Sequence, residues 1–485
     1  MPPATPPVLE RDPLQPDTAG EEGGSAPLWP VPQLSSDRAI HAAVWSLAWP
    51  SVATMLLQTV NSLLDVFFVG HLPNSAQALA ATGVGGSVMF LLISLSMGVS
   101  VGSTALVARF TGAGDPESTL EAAGQSITLS AILGVAFGAI AYSWRVPLVG
   151  LMLDGHRSPE AARLCVHFLE MALLASIPLF VMNALVGAFR GIGDTRTPMA
   201  ITLATVITHI SGNLVFIYGN LGMPRMGVAG AGLALALSLV VGLVLYLWAL
   251  KRHSELAGAM EARRLKFRPD WAWRILRVGI PAALQAVIRT LGMMSFTGML
   301  AHTVEGASGV AAAQIGIRAE SIAFMPGFGY SVAASALVGQ SLGARDPRRA
   351  ERCGWAATWQ AVTVMSIMAV LFFTLARWFP TLFTQDPAVR YLAADYLRVN
   401  AWCEPFLALG MVLTGALQGA GDTVRPTFIT LFTMWIARIP LGVWFMFTLH
   451  QNTHGAWVVM CATTIVGGLM TAALFRSGAW KKIKV

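Results

Sequence analysis

The chain has 485 residues and a formal net charge of +7, but only 12% of its residues are charged and 55% are hydrophobic. Soluble domains carry about 25% charged residues. The composition therefore excludes a water-soluble globule and predicts an all-α polytopic membrane protein. The excess of basic residues suits contact with anionic membrane lipid and gives no reason to expect nucleic-acid binding.

The N-terminal segment differs from the rest of the chain. Residues 1–37 contain nine prolines together with glycine, serine and acidic residues, and no apolar stretch. This composition predicts a disordered cytoplasmic tail. It lacks the basic and then apolar pattern of a cleaved signal peptide.

Twelve apolar runs follow, each with about the 20 residues that a helix needs to cross a bilayer. Their approximate limits are 41–69, 78–108, 120–144, 161–187, 196–218, 227–250, 273–300, 309–341, 352–376, 391–418, 426–449 and 455–476. Of the basic residues between and beside these runs, 22 fall on the side of the N-terminus and six on the other side. The positive-inside rule therefore predicts that both termini are cytoplasmic.

The two halves of the chain repeat each other. "ALVARFTGAGDPE" at 105–117 recurs as "ALVGQSLGARDPR" at 336–348, and "GIGDTRTP" at 191–198 recurs as "GAGDTVRP" at 419–426. Six runs separate equivalent positions, so the halves share one orientation, which is a repeat arrangement of transporters. The pattern predicts two six-helix lobes, 38–251 and 272–478, with a basic linker at 252–271 and a basic tail at 479–485.

The repeated "GAGDPE" loop has two possible interpretations. Its glycines and acid suggest a phosphate cradle, but the GxGxxG spacing and a preceding strand are both missing. The favoured interpretation is structural: glycine ends one helix, Asp115 caps the next and Pro116 occupies its first turn.

Asp65 is the single residue between Ala42 and Ala108 that is charged at neutral pH. Acids at membrane depth are costly and are functional candidates by default. Asn61 lies on the same helical face, and so does Pro50, where the helix can bend. Asp65 can take up a proton, can bind a small hard cation together with amide oxygens, or can pair permanently with an arginine such as Arg289.

The fifth run supplies potential partners for Asp65. His209 and Asn213 are four residues apart and share one face. His209 is either a hydrogen-bonded packing residue or a proton carrier. The repeat positions that match Asp65 and Asn213 are Phe296 and Leu441. The polar set thus occurs in one half only, which favours a functional role over duplicated scaffolding.

These motifs together resemble the multidrug and toxic compound extrusion (MATE) family over residues 38–478. The resemblance rests on Pro50 with "LLDVFFVGHL", "GAGDP", "GIGDTRTPM", "GVAGAGLALA" and "GAGDTVRP". The segment "FMPGFGYSVAASALVGQSLGARDP" is most similar to the DNA-damage-inducible branch of bacterial members. The resemblance implies twelve helices in two pseudo-symmetric lobes around a central cleft.

The resemblance also implies a coupling site in the N-terminal lobe. The family's first-span aspartate and bending proline match Asp65 and Pro50. Its fifth-span asparagine and aspartate match His209 and Asn213, and a sixth-span threonine matches Leu235. The loss of the second acid favours proton coupling through one carboxylate over sodium coupling. The branch with second-lobe acids does not fit, because Arg289 stands at its seventh-span position.

We therefore expect a monomeric exporter in the bacterial inner membrane that exchanges organic cations or other xenobiotics for H+ or Na+. The candidates for lining the cleft are Arg289, Met55, Phe67 and Phe68. Packing or lipid contact would also explain the presence of the three apolar residues. A flippase for lipid-linked oligosaccharides is the alternative, since four arginines at membrane depth suit phosphate. Hydrolase and metal motifs are missing from the sequence, so we expect no enzymatic activity, cofactor or metal site. The four cysteines are scattered along the chain, and we expect them to be small buried hydrophobic residues.

Overall fold

The computed structural model describes residues 36–153, 158–253, 255–450 and 452–483, and these residues form helices and connecting turns without any strand. The predicted tail at 1–37 lies outside the described residues except for its last two. Large apolar side chains such as Trp144, Met294 and Phe428 are more than 60% exposed on the outside of the bundle. An outer surface of this kind is stable only in lipid, as the composition predicts.

The first half of the chain contributes seven helices. They are α1 (Asp37–Gly70), α2 (Ser75–Gly112), α3 (Pro116–Met152), α4 (Pro159–Ala172), α5 (Ser176–Gly191), α6 (Arg196–Gly212) and α7 (Val228–Arg252). The second half contributes eight, of which two are short. They are α8 (Pro269–Leu300), α9 (Gly306–Gly343), α10 (Pro347–Leu375), α11 (Pro387–Ala401), α12 (Glu404–Gly419), α13 (Val424–Leu431), α14 (Ile439–Val443) and α15 (Asn452–Arg476).

Eleven helical segments of the described chain are long and apolar enough to span a membrane. The remaining predicted span, 391–418, consists of α11 and α12, which are separated by a break at Trp402 and Cys403. The matching span of the first half also changes geometry midway, through a 3-10 turn at Leu173–Ala175. The prediction of two pseudo-symmetric lobes built from membrane helices is therefore confirmed.

The repeated loops are helix caps. The Asp115 carboxylate accepts a hydrogen bond from the Ser118 amide at 3.0 Å, and Asp346 accepts one from the Arg349 amide at 2.8 Å. Pro116 and Pro347 each begin the helix that follows. Gly114 has a φ of +67°, a left-handed conformation that glycine adopts without a steric penalty. The favoured capping interpretation of "GAGDPE" thus agrees with the structure.

The first helix of each half packs against the opposite lobe. Ile40, Val44 and Ala48 of α1 belong to the apolar core of α9, α10 and α12, whereas Phe68 belongs to the core of the first lobe. The same exchange holds for α8, whose Ile275 packs in the first lobe and whose Phe296 packs in the second. Both helices therefore connect the two lobes mechanically.

The lobes meet at the end of the bundle that carries residues 37 and 476, here called the terminal end. A Cβ atom on Gly98 would lie 2.7 Å from the Gly279 carbonyl oxygen, and one on Gly279 would lie 2.6 Å from the Gly98 oxygen. Gly112 and Gly343 approach the backbones of Gln340 and Arg109 even more closely. Glycine is required at this seam because any side chain would push the helices apart.

The linker predicted at 252–271 lies against α3. The buried Gln125 amide donates to the carbonyl oxygens of Arg264 and Lys266 at 2.8 and 2.7 Å, and its oxygen accepts from the Arg268 amide at 3.0 Å. Basic linker side chains extend this contact, since Arg263 pairs with Glu117 at 3.0 Å. One glutamine therefore holds much of the connection between the lobes.

Replacing Gln125 with alanine should release this linker. The variant leaves two backbone carbonyls and one amide without a buried partner, which costs about 1–3 kcal/mol for each group left unsatisfied. We expect faster trypsin cleavage at Arg263 and Lys266 in detergent-solubilised protein. Gln77→Ala on the exposed surface of α2 is the control, and equal cleavage rates in the two variants would contradict the proposed attachment.

Candidate functional site

Asp65 and Asn61 stand one turn apart near the end of α1 that is distant from the terminal end. They face the last turn of α6, where the helix changes into a short π-helical segment, Asn213–Ile217. A π-helical turn widens the backbone and commonly occurs at functional sites. The segment begins at Asn213, so the change in geometry occurs where that side chain faces α1.

The structure brings together all four residues predicted to form the coupling site. The Asn213 amide donates to Asp65 Oδ1 at 2.7 Å, and His209 Nδ1 lies 3.7 Å from the same oxygen. His209 Nδ1 also contacts the side-chain amide of Asn61 at 2.9 Å. Two helices distant in sequence thus form one polar cluster, here called the Asp65 cluster.

Burial differs strongly within the Asp65 cluster. The side chain of Asp65 is 37% exposed, whereas His209 is 5% exposed and Asn213 is 1% exposed as a residue. Asn213 Oδ1 is buried without a hydrogen-bond partner. The carboxylate is therefore accessible and can take up a proton, and the unpartnered Asn213 oxygen is an additional potential ligand for a cation.

Arg289 is not the partner of Asp65. Its guanidinium lies over the Phe324 ring at 5.7 Å, and it takes part in no ion pair among the described residues. The hypothesis of a permanent Asp65–Arg289 pair is therefore wrong for this structure. The repeat position Phe296 is 1% exposed within an apolar core, so the second lobe has packing where the first has its acid.

A cavity of about 400 Å³ lies between the lobes. Its lining includes two of the predicted cleft residues, Met55 of α1 and Arg289 of α8. Phe67 and Phe68 are not part of this lining. Phe67 is 55% exposed and stacks on His71, while Phe68 is buried in the first lobe beside Tyr218, because one residue along a helix turns the side chain by about 100°.

Polar residues from both lobes line this cavity, and sequence analysis did not single out most of them. Gln418 donates to Gln285 at 3.2 Å, and Gln285 donates to Thr430 at 2.9 Å. Arg190, at the end of α5, also contributes to the lining. The one sequence signal for these residues was polarity inside an apolar run, which does not say which way a side chain faces.

Two other acids at membrane depth have local partners. Glu320 accepts a hydrogen bond from the Tyr396 hydroxyl at 2.7 Å, and Asp395 lies 2.8 Å from His454. The four cysteines are buried and free, and no cluster of potential metal ligands occurs in the described ranges.

Two lobes of membrane helices around a polar cavity, joined by exchanged helices, are the architecture of a membrane transporter. The MatE family model matches residues 50–215 and 281–444. The chain is 30% identical to the probable multidrug resistance protein NorM of Thermotoga maritima, over 91% of this chain and 94% of that protein. It is 28% identical to multidrug resistance protein PmpM of Pseudomonas aeruginosa, with 86% of each chain covered.

The fold has a similar counterpart among solved structures. An outward-facing multidrug resistance MATE family transporter superposes with a TM-score of 0.82 at 24% identity, covering 92% of this chain and 97% of the other. The protein described here belongs to the MatE family. It is a multi-pass membrane transporter and not an enzyme.

Proposed function

We propose that this protein is a multidrug exporter that couples the outward movement of organic molecules to inward movement of H+ or Na+. The relatives named above are multidrug resistance proteins, which supports this class of substrate. We place it in the bacterial inner membrane, as a monomer with both termini in the cytoplasm. The flippase alternative is not retained, since these relatives do not support it.

One observation carries the coupling proposal: a single helix, α1, connects three regions of the protein. Ala48 packs in the core of the second lobe, Met55 lines the cavity, and Asp65 belongs to the Asp65 cluster in the first lobe. Asp65 lies ten residues beyond Met55, which is about 15 Å along a helix. Protonation or cation binding at Asp65 therefore acts on a helix that also lines the cavity and packs in the second lobe.

In the proposed cycle, ionised Asp65 favours one arrangement of the lobes and the neutralised residue favours the other. Removing a full unit of charge changes the interaction of α1 with the Asn213 and His209 side chains. Pro50 serves as the hinge, because it interrupts the hydrogen bonding of α1 between the part packed in the second lobe and the part that lines the cavity. The proton is the favoured ion, because only one carboxylate is present in the cluster.

The test uses purified protein in liposomes loaded with a panel of fluorescent dyes that differ in structure and charge. A pH gradient and a sodium gradient are imposed separately. We expect one of the two gradients to drive release of several unrelated dyes, with the proton gradient being effective. If neither gradient moves any dye above the rate of empty liposomes, the proposed function is wrong.

A further inference from the structure

The charge of the central cavity is positive. Three arginines line it, Arg190, Arg289 and Arg438, and none of its described lining residues is an aspartate or glutamate. The Asp65 cluster lies outside this lining. Organic cations, the substrates implied by the family resemblance, would therefore meet three like charges and no acid in this lining.

The hydrogen-bond and ring partners of these arginines are neutral, and among the described residues Arg438 alone also interacts electrostatically with an acid, Glu320, which is not part of the cavity lining. Arg438 donates to the hydroxyls of Thr463 and Thr464, both at 2.9 Å, and is 3% exposed. Arg289 and Arg190 contact aromatic rings, and neither forms an ion pair with any acid that the structure describes. Arg289 is exposed and Arg190 is half-buried, and both line the cavity, so each guanidinium is open to a ligand that supplies the opposite charge.

Two of the arginines frame an aromatic surface. Arg289 lies 5.7 Å from the Phe324 ring, the rings of Phe324 and Phe328 are stacked 6.5 Å apart, and Arg190 lies 5.9 Å from Phe328. Arg190 belongs to the first lobe and the other three to the second. These four side chains therefore form a row, with two aromatic rings in the middle and a guanidinium group at each end.

We propose that the transported molecules include aromatic organic anions, with a sulfonate, carboxylate or phosphate paired to Arg289 or Arg190 and a ring system against Phe324 and Phe328. Guanidinium groups bind such anions through two parallel hydrogen bonds. This inference rests on the proposed function and names its substrate class. It replaces the expectation of cationic substrates for this cavity.

The sign of the substrate changes the electrical behaviour of transport. Exchange of a departing monoanion for one entering monovalent cation moves two charges in the same electrical direction. Exchange of a departing monocation for the same ion moves none. An interior-negative potential therefore drives anion export even when no ion gradient is present, and it leaves cation export unaffected.

The test compares two probes of similar size and permanent charge, pyrene-1-sulfonate and trimethyl(pyren-1-ylmethyl)ammonium, released from proteoliposomes. We expect the wild type to release the sulfonate at least about tenfold faster than the ammonium, because one charge-assisted hydrogen bond corresponds to about this ratio. A potassium and valinomycin potential alone should accelerate sulfonate release. Arg289→Gln should lower sulfonate release at least about tenfold, and Arg289→Lys should retain more of it.

The matched control is Arg277→Gln, which removes an exposed arginine of the same helix that is not part of the cavity lining. Equal sulfonate release in Arg289→Gln and Arg277→Gln would overturn the role of Arg289. Release of the ammonium but not the sulfonate would overturn the substrate class and leave the proposed export function standing. Release of neither pyrene probe, while other dyes of the panel move, would also overturn the inference.

Two further outcomes separate this inference from its alternatives. Translocation of a fluorescent phosphatidylglycerol without sulfonate release would assign the arginines to a lipid headgroup and overturn the inference. Failure of every dye under every gradient and potential would instead reject the proposed function. The folded state of each variant is checked by its elution as a single species in detergent.

Discussion

Replacing Asp65 with asparagine is expected to abolish gradient-driven transport while leaving the protein folded. Asparagine keeps the size of the side chain and its contact with the Asn213 amide, which is 2.7 Å away in the wild type. It cannot change charge, so neither a proton nor a cation can alter the position of α1. Dye release under an imposed gradient should fall to the rate of empty liposomes.

Downhill exchange of substrate without a gradient should survive in this variant, because the cavity is not altered. The matched control is Asp395→Asn, which changes an acid of the other lobe that lies beside His454. This control should retain gradient-driven transport. If Asp65→Asn transports as well as Asp395→Asn, the coupling role assigned to Asp65 is wrong, although the transporter fold is unaffected.

The second large effect is expected at the seam between the lobes. Gly112→Val should block transport by preventing closure at the terminal end, because the new side chain would overlap the backbone of Gln340 on α9. The contact joins two lobes that each have their own apolar cores. The expected result is therefore a folded protein confined to the opposite arrangement.

Distances between spin labels on the two lobes at the terminal end measure this effect directly. The wild type should show a population with the short distance of the arrangement closed at the terminal end. Gly112→Val should lack this population. Gly86→Val is the control on the same helix, because a Cβ at Gly86 meets nothing within 4 Å. Normal transport in Gly112→Val, with the short distance retained, would show that the seam tolerates a side chain.

The seam also gives the repeated motifs a physical role. Gly112 and Gly343 are 231 residues apart, and so are their partners Arg109 and Gln340. Each glycine packs on the partner residue of the other half. The repeat therefore preserves a reciprocal backbone contact across a pseudo-twofold axis, and its aspartates cap the helices that follow.

The sequence alone predicts the membrane-bundle architecture of this protein and one of its polar clusters. Low charge and long apolar runs identify a membrane bundle because lipid leaves few other ways to satisfy the backbone. The two matching motifs predict the paired lobes. The single-copy Asp65, with Asn61, His209 and Asn213 at helical spacing, predicts a polar cluster, because residues four apart share a face.

Only the tertiary structure decided which surfaces face the cavity. Met55 and Arg289 line it, whereas Phe67 and Phe68 do not, since the hydrophobicity of a side chain is compatible with lipid, core or cleft. Contacts between distant segments also decide the exchange of α1 and α8 between lobes. They likewise bring Arg190, Arg289 and Arg438 to one cavity whose described lining contains no acid. Helical periodicity specifies a face, but the packing of helices decides what that face meets.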